Sequence, residues 1–207
     1  MLKLGVYGTG GFSLEVFDLI KDIYSTTNFN IDENVFFIDD LNDNKNHLGL
    51  NIVKSSDINF EKSEIILAIG NSIVREKIVN SLPPQTKYGT LIHPSSYISP
   101  SAKIGKDVII SHQCVVSSNV QVSSHSHLNY QTCIGHESKL GKYFTSAPGV
   151  RISGNCDIGE NVYFGTNSCT VQGIKVKENI KVGIGSVVVN NLKKSGTYMF
   201  NPSRKVF

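Results

Sequence analysis

No stretch of the chain approaches the ~18 consecutive apolar residues that would span a bilayer. Its opening, "MLKLGVYGTG", lacks the apolar core and cleavage site of a signal peptide and reads as a short strand entering a glycine turn. No Lys/Arg-rich run is present, and a net charge of +3 is too slight to mark a nucleic-acid binder. These absences lead to the expectation of a cytoplasmic protein that binds neither membrane nor nucleic acid. In that compartment Cys114, Cys133, Cys156 and Cys169 are expected to be reduced thiols, and they lack the CxxC spacing of a structural zinc site. What remains is an ordinary globular composition, 40% hydrophobic and 18% charged over 207 residues, enough for one generous domain or two small ones.

The two halves follow different rules. Over 1–90, strand and helix signals alternate. "KLGVY" (3–7) is a strand and "GTGG" (8–11) a turn. "SLEVFDLIKDIY" (13–24) is a helix with Ser13 as candidate N-cap and Leu14, Val16, Phe17, Ile20, Ile23 and Tyr24 near a 3.6-residue spacing. "NVFFIDD" and "EIILAIG" are buried strands, and "SIVREKIVNSL" is a helix stopping before Pro83. The alternation implies a small Rossmann-like α/β domain with a parallel sheet.

From 91 to 193 the chain repeats every six residues. Starting at Ile92, fifteen of seventeen leading positions are aliphatic or Phe, and thirteen of the residues that follow them are Gly, Ser, Ala or Asn. The position four residues after each leader is mostly small or β-branched. Six-residue apolar periodicity without insertion means a triangular solenoid, the left-handed parallel β-helix. One hexad forms one side, three form a coil, and about six coils fit the run. Leaders and small i+4 residues, Cys114 and Cys156 among them, face inward. A tail, 194–207, follows.

Read from the residues alone, "GTGGFS" is a partial GxGxxG, a fair seat for a diphosphate at a helix N-terminus. Asp39, Asp40, Gly70 and Asn71 stand at carboxyl ends of strands, where open α/β sheets bind ligands. Arg75, one turn further, reads as either a phosphate contact or a surface base. His136 and Glu137, in "IGHESKLG", fall outward near a solenoid corner. A histidine is neutral near pH 7 and serves as a general base, with an adjacent carboxylate to hold its tautomer. Lys193, Lys194, Arg204 and Lys205 are cations available to phosphates. "HSH" (125–127) raises a zinc alternative, disfavoured because no third ligand completes the set.

"GVYGTGGFSLEV", "FFIDD", "AIGNSIVREKI", "IHPSSYISPSAKIG" and "IGHESKLGKYFTSAPGVRISGNCDIG" occur in an order that resembles bacterial nucleotide-sugar acetyltransferases of the hexapeptide-repeat class. These include 4-amino-sugar N-acetyltransferases and sialic acid O-acetyltransferase-like proteins. The resemblance covers nearly the whole chain. It implies an acetyl-CoA-dependent enzyme of surface-glycan synthesis without a metal, a homotrimer with acetyl-CoA between adjacent helices. By resemblance His136 is the base and Glu137 its partner. Gly10, Gly11, Phe12, Asp39, Asp40 and Gly70 meet the nucleotide-sugar, while Thr145, Thr166 and Ile184 fall along the acetyl-CoA cleft; beside these, Gly8, Asn71 and Arg75 are expected at the sugar site and Gly165, Gly183 and Lys205 at the cleft. Phe12-Ser13 replaces a frequent "HG" in the glycine turn, and Thr145 stands where a second His is common. O-acetylation of a sialic-acid-like sugar and a non-catalytic trimeric scaffold are the alternatives.

Overall fold

The computed structural model describes residues 3–199. The first domain contains β1 (Lys3–Tyr7), α1 (Gly11–Tyr24), α2 (Ile31–Asn34), β2 (Val35–Ile38), β3 (Asn46–His47), β4 (Leu50–Val53), β5 (Ser63–Leu67), α3 (Ser72–Ser81) and β6 (Lys87–Tyr88). The sheet order is β3-β4-β2-β1-β5-β6, parallel except for the β3–β4 pair. The chain leaves β1 for β2 on one side and returns to β5 on the other. The carboxyl end of β1 is therefore the switch point of the sheet, where open α/β sheets leave a crevice.

α1 begins two residues earlier than its expected cap. Gly10 is the N-cap and Ser13 is buried in the first turn, its hydroxyl donating to the Gly10 carbonyl. Val16, Leu19 and Ile20 are the buried face, whereas Leu14 is exposed and Phe17, Ile23 and Tyr24 are half-buried.

The hexads form a left-handed β-helix of two-residue strands stacked 18 residues apart in parallel. The first face runs from Leu91–Ile92 to Ile180–Val182, the second from Tyr97–Ile98 to Val187–Val188, the third from Lys103–Ile104 to Lys175–Val176. Every leading residue from Ile110 to Val188 is buried, and so are the i+4 residues from Val108 to Ser186. The expected tail does not stand apart throughout, because Gly196–Tyr198 adds a strand to the first face.

Two devices close the coil. Gly135 and Gly141 lie against the next coil, where a Cβ would come within 2.5 Å of its backbone. The corners turn on left-handed backbone: every sixth residue from Asp107 to Gly185 has φ between 51° and 77°. Asn and Gly, which tolerate this region, hold more than half of those corners.

The three faces differ outward. Leu91 and Ile109 on the first are buried in a core shared with Val16, Leu19 and Ile20 of α1, so the first domain sits on this face. Lys103, Gln121, Lys139, Asp157 and Lys175 make the third face polar and exposed. On the second face Tyr97, Val115 and Val187 are exposed apolar residues, with Cys133, the exposed cation Arg151 and Cys169 between them. The cysteines are all free, and burial pushes the Cys114 thiol up to about 11, the inert behaviour of a small core residue. Among the described residues, no helix is long and apolar enough to cross a membrane.

Candidate active site

His136 and Glu137 lie at the corner between the second and third faces. Glu137 is one of the left-handed corner residues, φ 58°. Adjacent side chains on a flat strand point to opposite sides; this turn instead brings His136 Nδ1 to 3.1 Å from Glu137 Oε2. Both side chains are half exposed. The imidazole rests on Gly154 in the next coil, where a Cβ would lie 2.5 Å from His136 Nε2. The corner thus offers a half-exposed imidazole with one nitrogen held by a carboxylate and no hydrogen bond to the other among the described residues.

The glycine turn lies at the switch point. Gly8 is structural: its φ is +106°, and a Cβ would meet Ile69 Cδ1 at 2.6 Å. Gly10, Gly11 and Gly70 are different. Among the described residues a Cβ on any of them would meet nothing within 4 Å, and none has positive φ, so nothing described in the chain demands glycine there. The start of α1 carries no acidic residue and no side-chain cap; Ser13 N donates to Gly10 O, and the Gly11 and Phe12 N–H groups ahead of it can face an anion.

Asp39 accepts from Thr9 Oγ1 (2.6 Å), Thr9 N, Leu41 N and Asn42 N. Burial acts to raise it, but these hydrogen bonds outweigh burial and hold it below the usual carboxylate range. Asp40 accepts from Tyr7 Oη and Ser55 N and is also held low against burial. Both therefore shape the loop around the crevice first of all. Asn71 caps α3, its side-chain oxygen accepting from Ile73 N and Val74 N.

Arg75 is neither a phosphate contact nor a surface base. It is fully buried at the seam between the domains. It donates to carbonyls of His125, Ile69 and Tyr143 and to Thr145 Oγ1. Burial lowers it to about 10, with Asp107 opposing, so it stays a cation at neutral pH. Asp107, also fully buried, accepts from Leu67 N and pairs with His125 Nδ1, each at 2.9 Å. His127 Nδ1 faces the guanidinium at 3.3 Å. Burial, then the Arg75 charge, pushes His127 well below its ordinary value, so it is neutral. This network escaped the sequence reading, because its members lie up to 70 positions apart.

Beside the seam is a cleft of about 350 Å³ lined by Phe12 and Gly70 of the first domain and by His127, Asn129, Thr145–Pro148, Tyr163 and Thr166 of the solenoid. The structure therefore brings Phe12, Gly70, Thr145 and Thr166 together. Gly165 is buried below, where a Cβ would meet Ile184 N at 2.6 Å, so the coil itself requires that glycine. Gly183 backs on Met199, and Ile184 is 69% exposed on the same edge, outside the cleft lining. Lys193 and Lys194 are exposed at the last coil, while Arg204 and Lys205 lie outside the described residues. His136 does not reach this cleft within one chain: it is at a corner one full face away.

His125 and His127 are committed to Asp107 and Arg75 and do not form a zinc set. Asp22, His93 and His112 do gather, with His93 and His112 Nε2 at 3.5 and 3.1 Å from Asp22 Oδ2. Their rings are stacked, centroids 3.7 Å apart. Two imidazoles on one tetrahedral zinc would be splayed to about 5 Å. The group is a carboxylate of α1 holding two solenoid histidines across the seam.

Residues 3–82 match the family described as the PglD N-terminal domain. Over 174 residues the chain is 25% identical to GDP-perosamine N-acetyltransferase of Escherichia coli O157:H7, covering 82% of this chain and 78% of that protein. WeeI from Acinetobacter baumannii AYE superposes with a TM-score of 0.88 at 27% identity, over 99% of both chains. The acetyltransferase domain of PglB from Neisseria gonorrhoeae FA1090 does so at 0.87 and 26%, over the whole of both, and its structure with acetyl coenzyme A is similar too. The resemblance read from the sequence and these comparisons meet on sugar acetyltransferases.

Proposed function

We infer that this chain is an acetyl-CoA-dependent N-acetyltransferase acting on the amino group of a nucleotide-linked sugar, a 4-amino-deoxy sugar destined for a surface glycan. The observation that carries the reading is the His136–Glu137 pair, an imidazole oriented by a carboxylate on an exposed solenoid corner. Similarity to an N-acetyltransferase of GDP-perosamine supports N- over O-transfer.

In this reading His136 Nδ1–H donates to Glu137, leaving the Nε2 lone pair as base. The sugar amine adds to the thioester carbonyl carbon, and Nε2 takes its proton. The carbonyl re-forms as the C–S bond breaks, and the imidazolium returns the proton to the leaving thiolate. The nucleotide diphosphate sits at the Gly10-Gly11 turn, where the start of α1 carries no side-chain cap, and the sugar extends past Phe12 and Gly70 toward the junction cleft. Because His136 is a face away from that cleft in its own chain, a second chain must supply the base. The second face, apolar apart from Arg151, borders the His136 corner and suits a homotrimer.

Thiol release from acetyl-CoA across a panel of UDP-, dTDP- and GDP-amino sugars and sialic acids tests the reading. Release with one amino sugar, lost on His136→Ala, is expected. Full turnover by His136→Ala would refute the assignment, and release only with a sialic acid would make the enzyme an O-acetyltransferase.

A further inference from the structure

The cleft at the domain junction contains a hydroxyl with a fixed hydrogen-bonding sense. The buried Arg75 guanidinium reaches into both walls: it donates to Ile69 O (2.6 Å) in the loop that ends at Gly70, and to Tyr143 O (3.0 Å) in the solenoid. One terminal nitrogen also donates to Thr145 Oγ1 at 2.8 Å. A guanidinium only donates, so Thr145 Oγ1 accepts here and its own O–H must point elsewhere. Among the described residues this O–H has no acceptor, and Thr145 lines the cleft.

The chemistry of the lining restricts what the O–H meets. Among the described residues no Lys or Arg side chain lines the cleft, Arg75 is sealed behind it with its nitrogens engaged, and His127 is neutral. A phosphate would be held there without a counter-charge. An oxygen that is neutral when bound and gains charge during reaction fits better. It meets a hydroxyl polarised by a buried cation, a donor placed where charge develops.

Resting on the acetyltransferase reading above, we propose that Thr145 donates its hydroxyl hydrogen bond to the acyl oxygen of the acetyl thioester, and that Arg75 is the positioning residue that fixes this donor. Thr145 then holds the oxygen that becomes the oxyanion when the amine adds. His136 of a neighbouring chain takes the proton.

Thr145→Val keeps the side-chain shape and removes the donor; Thr145→Ser keeps the donor. In the intact protein, Thr145→Val is expected to lower kcat/KM for acetyl-CoA by about 10–100-fold, with the acceptor KM and the melting temperature little changed, and Thr145→Ser to retain most activity. Arg75→Lys added to Thr145→Val is expected to cost little more, because Arg75 acts through Thr145. An unchanged kcat/KM in Thr145→Val, or a loss confined to the acceptor KM, would overturn the proposal while leaving the enzyme reading standing. Fully additive losses in the double variant would remove the role given to Arg75. If Arg75→Lys does not fold, the Val and Ser pair decides alone. A wild-type protein inactive across the acceptor panel would sink both the enzyme reading and this one.

Discussion

At the residue scale, the candidate base is held by two neighbours with opposite costs. Glu137 occupies a left-handed corner where Asn stands at 119, 155, 161, 167 and 179. Glu, unlike Asn or the Asp at 107, gains nothing there from the backbone; its return is the 3.1 Å contact with His136. Glu137→Asn is therefore expected to raise stability slightly, by up to about 1 kcal/mol in denaturant titration, because Asn tolerates this backbone better. The same change is expected to lower kcat roughly tenfold as the tautomer holder is lost. A variant that loses stability or keeps full kcat would contradict the account. Gly154 is the second neighbour. Gly154→Ala pushes a methyl into the imidazole, a flexible side chain that yields without unfolding the coil. A several-fold fall in kcat with an unchanged melting temperature is expected.

At the element scale, the hexad rule was legible because one solenoid coil repeats the same burial problem every six residues. Ile134 and Leu140 announced an inward position and Gly135 and Gly141 a close approach of backbones, and each occupies its expected place. The corners were legible too in principle, since Asn or Gly recurs at the same phase from Gly149 to Gly185 with no exception. That signal makes the His136–Glu137 contact understandable, and it was the part of the motif the apolar pattern alone left open. The seam was not legible. Arg75 looks like a surface residue on an amphipathic helix, and only the fold brings it to His125, Tyr143 and Thr145. Ser13, too, has the composition of an N-cap but is buried in the first turn beside His47.

The seam carries a pH dependence whose sign follows from burial. His127 is fully buried between Arg75 and Phe12, with the Asp107–His125 pair nearby, and its folded pKa lies well below the ordinary value. The unfolded chain binds a proton near pH 6.5 that the folded chain refuses. The contribution of His127 is thus fully present above that pH and is lost as pH falls, by about 1.4 kcal/mol per unit. His93, lowered by burial and then by His112, acts in the same direction. Urea titrations at pH 7.5 and 5.5 are expected to show the loss, and His127→Asn, which still offers Arg75 an acceptor, is expected to flatten it. An unaltered slope in that variant would assign the proton uptake to other groups.

At the scale of the whole molecule, the three faces of the prism have three fates. The first is covered by the chain's own α/β domain, the third is solvated by Lys103, Lys139 and Lys175, and the second is left apolar apart from Arg151. In the proposed mechanism the base and the sugar-binding turn sit on different sides of this arrangement, so each site would draw on two chains. Two variants separate the halves. His136→Ala removes the base. Gly11→Val fills a space in which a Cβ meets nothing among the described residues, so it should block the turn without harming the fold. Each alone is expected to be nearly inactive. Unfolded together in equal amounts and refolded, they form mixed assemblies in which a site takes its base from one chain and its turn from a neighbour. With random mixing, a site has about a one-in-four chance of receiving both intact parts, so about a quarter of wild-type activity should return. If base and turn served the same chain, every site would keep one defect and no activity would return. A mixture as inactive as its parents would show that each chain works alone, and the second face would then need another occupant.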